Sequence, residues 1–69
     1  MKIIKVIEVL ASSDTSFDDA VQNALKEAGK SIQNIKSIYV KEMKAKVEDN
    51  KVVSYGVIAK ISFGVDTGA

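Results

Sequence analysis

The chain is 69 residues long, enough for one small domain over residues 1–69. With no cysteine and no histidine, it has neither disulfides nor the commonest metal ligands to staple a thin core. Ten basic and nine acidic residues leave a net charge of +1 and every basic residue is lysine, so neither a strong field nor guanidinium forks favour a nucleic-acid partner.

The first segment, residues 2–11 (KIIKVIEVLA), is rich in Ile and Val and free of turn formers, which predicts a strand, β1. Ile3, Ile7, Val9 and Ala11 fall on one side and Ile4, Val6 and Leu10 on the other, so both faces need a cover. Lys5 and Glu8 interrupt the apolar run. No stretch approaches the ~18 apolar residues of a membrane span, so a cytoplasmic chain without a membrane partner is expected.

The polar connector SSDTS leads to Ser16, which reads as a helix N-cap with Asp19 three residues on, and Asp18 and Asp19 suit the positive end of the helix dipole. Phe17, Ala20, Val21, Ala24, Leu25, Ala28 and Ile32 then recur at helical spacing, predicting an amphipathic helix, α1, of about four turns. Gly29 lies off the stripe and weakens its last turn. Asn34 is a candidate left-handed stop.

Residues 36–48 and 51–65 read as two further strands, β2 and β3. β3 alternates strictly, with Val53, Tyr55, Val57, Ala59, Ile61, Phe63 and Val65 on one face. Partners in a sheet share a face, so Tyr39, Met43, Ala45 and Val47 are expected opposite odd-numbered residues. A clean two-residue loop at Asp49-Asn50 would pair odd with even, so the parity predicts a three-residue connection or a bulge near Asp49–Lys51.

The fold class is therefore α+β: a three-stranded antiparallel sheet with one helix, in the order β1–α1–β2–β3. One helix covers one face. The second apolar set on β1, with Val52 and Ile58 on the far side of β3, is left to water unless another subunit covers it, and a homo-oligomer is expected.

Three segments, KVIEVLASS before SFDDAVQNAL, NIKSIYVKEM at the start of β2, and SYGVIAKISF in β3, together resemble the dodecin family. The resemblance covers nearly the whole chain. It implies that each sheet wraps its own helix and that twelve subunits close into a hollow shell with cubic 23-type symmetry. It also implies a ligand-storage role, in which flavins (riboflavin or FMN) are sequestered with their rings stacked between aromatic side chains near subunit two-folds. At the matched positions flavin-binding members carry a tryptophan where this chain has Ser37, and a glutamine where it has Gly56. Tyr39, two residues beyond Ser37, is a second candidate stacking surface. The cofactor-binding residues implied are thus Ser37, Gly56 and Tyr39; the alternative is a flavin-free, structural or ion- or nucleotide-cofactor-associated shell with closed pockets.

Each candidate also has a plainer reading. Ser37 and Gly56 suit close backbone approach, and Tyr55, Phe17 and Phe63 suit the core. The oxygen-rich run Ser12, Ser13, Asp14, Ser16, Asp18 and Asp19 lacks calcium-loop spacing and suits helix capping, so no metal ligands are expected. Lys36, Lys41, Lys44, Lys46 and Lys60 interleave with Glu42 and Glu48 as a solvated strand face. No Ser, Lys and carboxylate stand at a catalytic spacing, so no catalytic residues are expected and the chain reads as a binding protein rather than an enzyme.

Overall fold

The structure is a computed structural model and describes residues 2–66. The Ile- and Val-rich opening forms β1, Lys2–Ser13, two residues longer than the sequence pattern predicts. α1 spans Phe17–Gly29, β2 Ile35–Glu48 and β3 Lys51–Asp66. The strands form one antiparallel sheet in the order β1–β3–β2, so the last strand is the central one.

The turn from β1 into α1 is fixed by side chains. Ser16 is the N-cap, in extended backbone, and its hydroxyl accepts a 3.0 Å bond from the Asp19 amide. The Asp19 carboxylate does not reach back to complete a capping box; it accepts a 2.6 Å bond from the Ser13 hydroxyl. Ser13 is buried, and its oxygen also accepts from the Thr15 and Ser16 amides. The run of Ser and Asp is therefore spent on the corner itself. Ser13→Ala would leave Asp19 and the Thr15 amide without this partner, and a loss of stability of about 1–2 kcal/mol is expected, read from a lower urea midpoint.

At its other end α1 stops at Gly29, short of Ile32, and the Ile32 amide still bonds to the Ala28 carbonyl at 2.9 Å. Asn34 has φ 63°, the predicted left-handed stop, and its carbonyl accepts from the Gly64 amide at 2.9 Å. Gly29 has neither a positive φ nor any neighbour within 4 Å of a built Cβ. Gly29→Ala should therefore raise stability by about 0.5–1 kcal/mol, visible as a higher Tm.

The inner face of the sheet carries the core. Ala20, Ala24 and Ala28, at one-turn spacing, bring the helix close to Val57, Ala59 and Ile61 of β3, and all six are buried. Phe17 meets Tyr55 edge to face, with ring centroids 5.0 Å apart, which confirms both as packing residues. β1 pairs β3 without a break, odd residues facing odd, from Ile3 opposite Val65 to Ser13 opposite Tyr55. Ile7, Val9 and Ala11 accordingly face the helix, while Ile4, Val6 and Leu10 face away and are 55%, 57% and 77% exposed.

The β2–β3 pairing keeps the expected odd-to-odd parity at Met43 and Ala45, and departs from it at Tyr39 and Val47. Asp49 and Asn50, with φ of 53° and 61°, make a two-residue turn between the paired Glu48 and Lys51. The parity conflict is relieved a step later, where the register shifts between Lys46 and Val47. Val52 therefore lies opposite Val47 and not on the far side with Ile58. A second shift, between Val40 and Glu42, moves Tyr39 opposite Lys60, an even-numbered partner, contrary to the expected parity. Ile38 and Val40 turn to the core through the same shift, opposite Ile61 and Ala59.

Candidate ligand site on the outer face of the sheet

Because β3 is central, each outward position on it is flanked by one residue from each neighbour. The rows read Val6–Ser62–Ser37, then Glu8–Lys60–Tyr39, Leu10–Ile58–Glu42, and Ser12–Gly56–Lys44. Glycine in the last row leaves a hole. A depression of ≈ 290 Å³ opens there, lined by Leu10, Ser12, Glu42, Lys44, Gly56 and Ile58, together with Ala11 and Val57. A second depression, bordered by Lys44, Ala45, Lys46, Ser54 and Gly56, adjoins it. Leu10 and Ile58 supply an apolar wall, and Glu42 and Lys44 place opposite charges on the rim.

The plainer account of Gly56, close backbone approach within the chain, is not what the geometry requires. A Cβ built there would meet only the Lys44 carbonyl at 3.6 Å and the Lys44 Cγ at 4.0 Å, ordinary contacts, and the backbone is not left-handed. Within this subunit a Cβ fits at Gly56, and glycine keeps the depression open.

Ser37, Tyr39 and Gly56 all lie on the outer face, but one subunit does not bring them together. The Ser37 row passes through Ser62, six residues from Gly56 on β3, which is ~20 Å at ~3.3 Å per residue. Ser37 is exposed and its hydroxyl shares a 2.5 Å hydrogen bond with that of Ser62. Tyr39 is 65% exposed beside Lys60, and Lys41, the extra residue of the bulge, reaches Glu8 at 3.8 Å. Sequence reasoning did not bring Leu10, Ser12, Glu42, Lys44 and Ile58 together as the lining of one site. The even-odd parity between β2 and β3 carried the signal, since it places Lys44 opposite Gly56 once the bulge is positioned.

A helix laid on one face of a short antiparallel sheet, with an open depression and an uncovered apolar strip on the other, defines a small α+β protein suited to binding and assembly. The sequence model of the dodecin family, described as "Dodecin", matches residues 3–66, and the chain belongs to that family. It is 26% identical over 65 residues to the dodecin of Thermus thermophilus, covering 94% of each chain. Among solved structures it resembles the dodecin of Streptomyces coelicolor, with a TM-score of 0.88 at 26% identity, over 94% of this chain and 93% of that one. It also resembles a calcium-chelating calcium dodecin of Mycobacterium tuberculosis, with a TM-score of 0.80 at 25% identity, over 97% and 96%.

Proposed function

We propose that this chain is the single-domain subunit of a dodecin-type shell of twelve copies that sequesters a planar ligand, a flavin or a related cofactor, without transforming it. The observation that carries this reading is the open depression over Gly56, walled by Leu10 and Ile58 on a face whose apolar strip has no cover in one subunit. Ser37 lies ~20 Å along the same face from the depression and Tyr39 ~13 Å, at ~3.3 Å per residue. In this reading they contribute from a neighbouring copy across the outer face. A cytoplasmic setting agrees with this reading; among the described residues no helix is long and apolar enough to cross a membrane.

A second reading is favoured by one specific feature, the absence of tryptophan and of a glutamine side chain at Ser37 and Gly56. A shell of this kind would hold a ligand other than a flavin, since neither a large π-face nor an amide is present at those positions. Light scattering of the purified protein with its visible spectrum, followed by titration of riboflavin and FMN, separates the two. A twelve-subunit mass with quenched flavin fluorescence supports sequestration of flavin. The same mass with no quenching supports the second reading, and a monomeric mass overturns both.

A further inference from the structure

β3 carries two outward glycines, and their surroundings differ. A Cβ built at Gly64 would lie 3.3 Å from the Lys36 Cε and 4.0 Å from the Ile4 Cδ1, so the lysine stem already lies across that gap. Gly56 has no such cover, and the depression above it stays open. Its wall is aliphatic, formed by Leu10 and Ile58, with no aromatic side chain in the lining. Its polar groups are also uncommitted. Elsewhere on the sheet Lys41 is paired with Glu8 at 3.8 Å and Lys46 with Glu48 at 3.7 Å. Ser12 spends only its backbone carbonyl, on the Asn23 side-chain amide at 3.1 Å. Among the described residues the Ser12 hydroxyl, the Glu42 carboxylate and the Lys44 ammonium make no hydrogen bond or ion pair, although Glu42 and Lys44 stand two residues apart on one face of β2.

We propose that the depression over Gly56 takes a small aliphatic zwitterion, of the class of a leucine-like amino acid, with its ammonium on Glu42, its carboxylate on Lys44 and its side chain against Leu10 and Ile58. This rests on the reading in which the shell holds a ligand other than a flavin, and it names the class of that ligand. Side chains two residues apart on a strand rise from the same face ~6.6 Å apart, at ~3.3 Å per residue. A compact head group with one charge of each sign reaches both, at ~2.8 Å per charged hydrogen bond. A body without charge fills the rest. At ≈ 290 Å³ the depression lies at the lower end of small-molecule sites, which run from ~300 to ~1,000 Å³, so that body is short. Partial matches each leave a cost. A fatty acid brings a second carboxylate beside Glu42, an alkylamine a second ammonium beside Lys44, and a phosphate ester more negative charge than one lysine answers. Both charges are exposed on one subunit, where solvent weakens them. In the proposed shell a copy covering the outer strip, of which Leu10 is part, excludes that solvent.

The test is equilibrium dialysis of the purified full chain against leucine, with isocaproate, isopentylamine and glycine as analogues lacking the amine, the carboxylate and the aliphatic body. Leucine is expected to bind, and each analogue to bind at least about tenfold more weakly. Glu42→Gln and Lys44→Gln exchange exposed side chains, and each is expected to weaken leucine about tenfold or more. Gly56→Val, which fills the gap, is expected to abolish uptake, with circular dichroism and solution mass checking that the variant is folded and assembled. No leucine uptake at ~10 mM, or an analogue bound as well as leucine, would overturn the proposal. Riboflavin titrated into the same samples separates it from the reading beneath it. Quenching that Gly56→Val removes would show a flavin in the depression and overturn both. Neither quenching nor leucine uptake would overturn the zwitterion alone.

Discussion

Val6→Lys is expected to abolish assembly, read as the loss of the large species in light scattering while the subunit keeps its secondary structure. Val6 is exposed on the outer face, in one row with Ser62 and Ser37 and between the equally outward Ile4 and Leu10. Covering this strip is worth several kcal/mol per chain at ~25 cal/mol per Å² of apolar surface. A lysine in its centre replaces that gain with the cost of burying an ammonium group, itself several kcal/mol. The effect is multiplied because every copy carries it. Val6→Thr keeps the branched, strand-favouring shape without charge and should weaken assembly without abolishing it. A Val6→Lys protein of undiminished mass would show that the strip is not an interface.

Ser37→Trp combined with Gly56→Gln should raise flavin affinity by roughly tenfold or more, since stacking on one aromatic ring is worth ~1–3 kcal/mol and each 1.4 kcal/mol is a factor of ten. Both substitutions are compatible with the fold. Ser37 is exposed, and its exchange costs only the Ser37–Ser62 hydroxyl bond; at Gly56 an added Cβ meets Lys44 only at ordinary contact distances of 3.6 and 4.0 Å, beside the open depression. The measurement is quenching of flavin fluorescence on titration, for each single variant and for the pair. More-than-additive gains would place the two residues against one ligand, and because they stand ~20 Å apart in a subunit, that ligand would bridge two copies. No gain from any of the three would remove both positions from the site.

Much of this architecture was legible in the residues. The helix announced itself through Ser16, the Asp18-Asp19 first turn and the spacing of Ala20, Ala24 and Ala28, because capping and amphipathic periodicity are local. Asn34 was likewise readable, its left-handed backbone being a property of one residue. The two apolar sides of β1 already indicated a face in need of a cover. The order of strands in the sheet and the position of the bulges were not legible. The parity between Ala45 and Tyr55 demanded an extra residue somewhere near the turn, but Asp49-Asn50 adopts a two-residue turn readily, so the adjustment moved to the neighbouring pair. Nothing in the sequence around Lys41 marks it as unpaired, since a bulge is chosen by the partner strand as much as by its own residues. The depression over Gly56 depends on three strands at once, and was beyond reach until that register was known.

The unpaired Lys41 also sets how this protein can change. It works as a phase marker: from Ser37 to Val40 odd residues of β2 oppose even residues of β3, whereas from Glu42 to Lys46 odd opposes odd. Deleting that single residue would send Tyr39 and Ser37 toward the helix and expose Ile38 and Val40, exchanging the address of every position upstream in β2. Point substitutions at Ser37 or Tyr39 therefore leave the register intact, while a change in the length of the segment between Glu42 and Ser37 does not. In a lineage of such chains, spacing in this segment should drift less than composition.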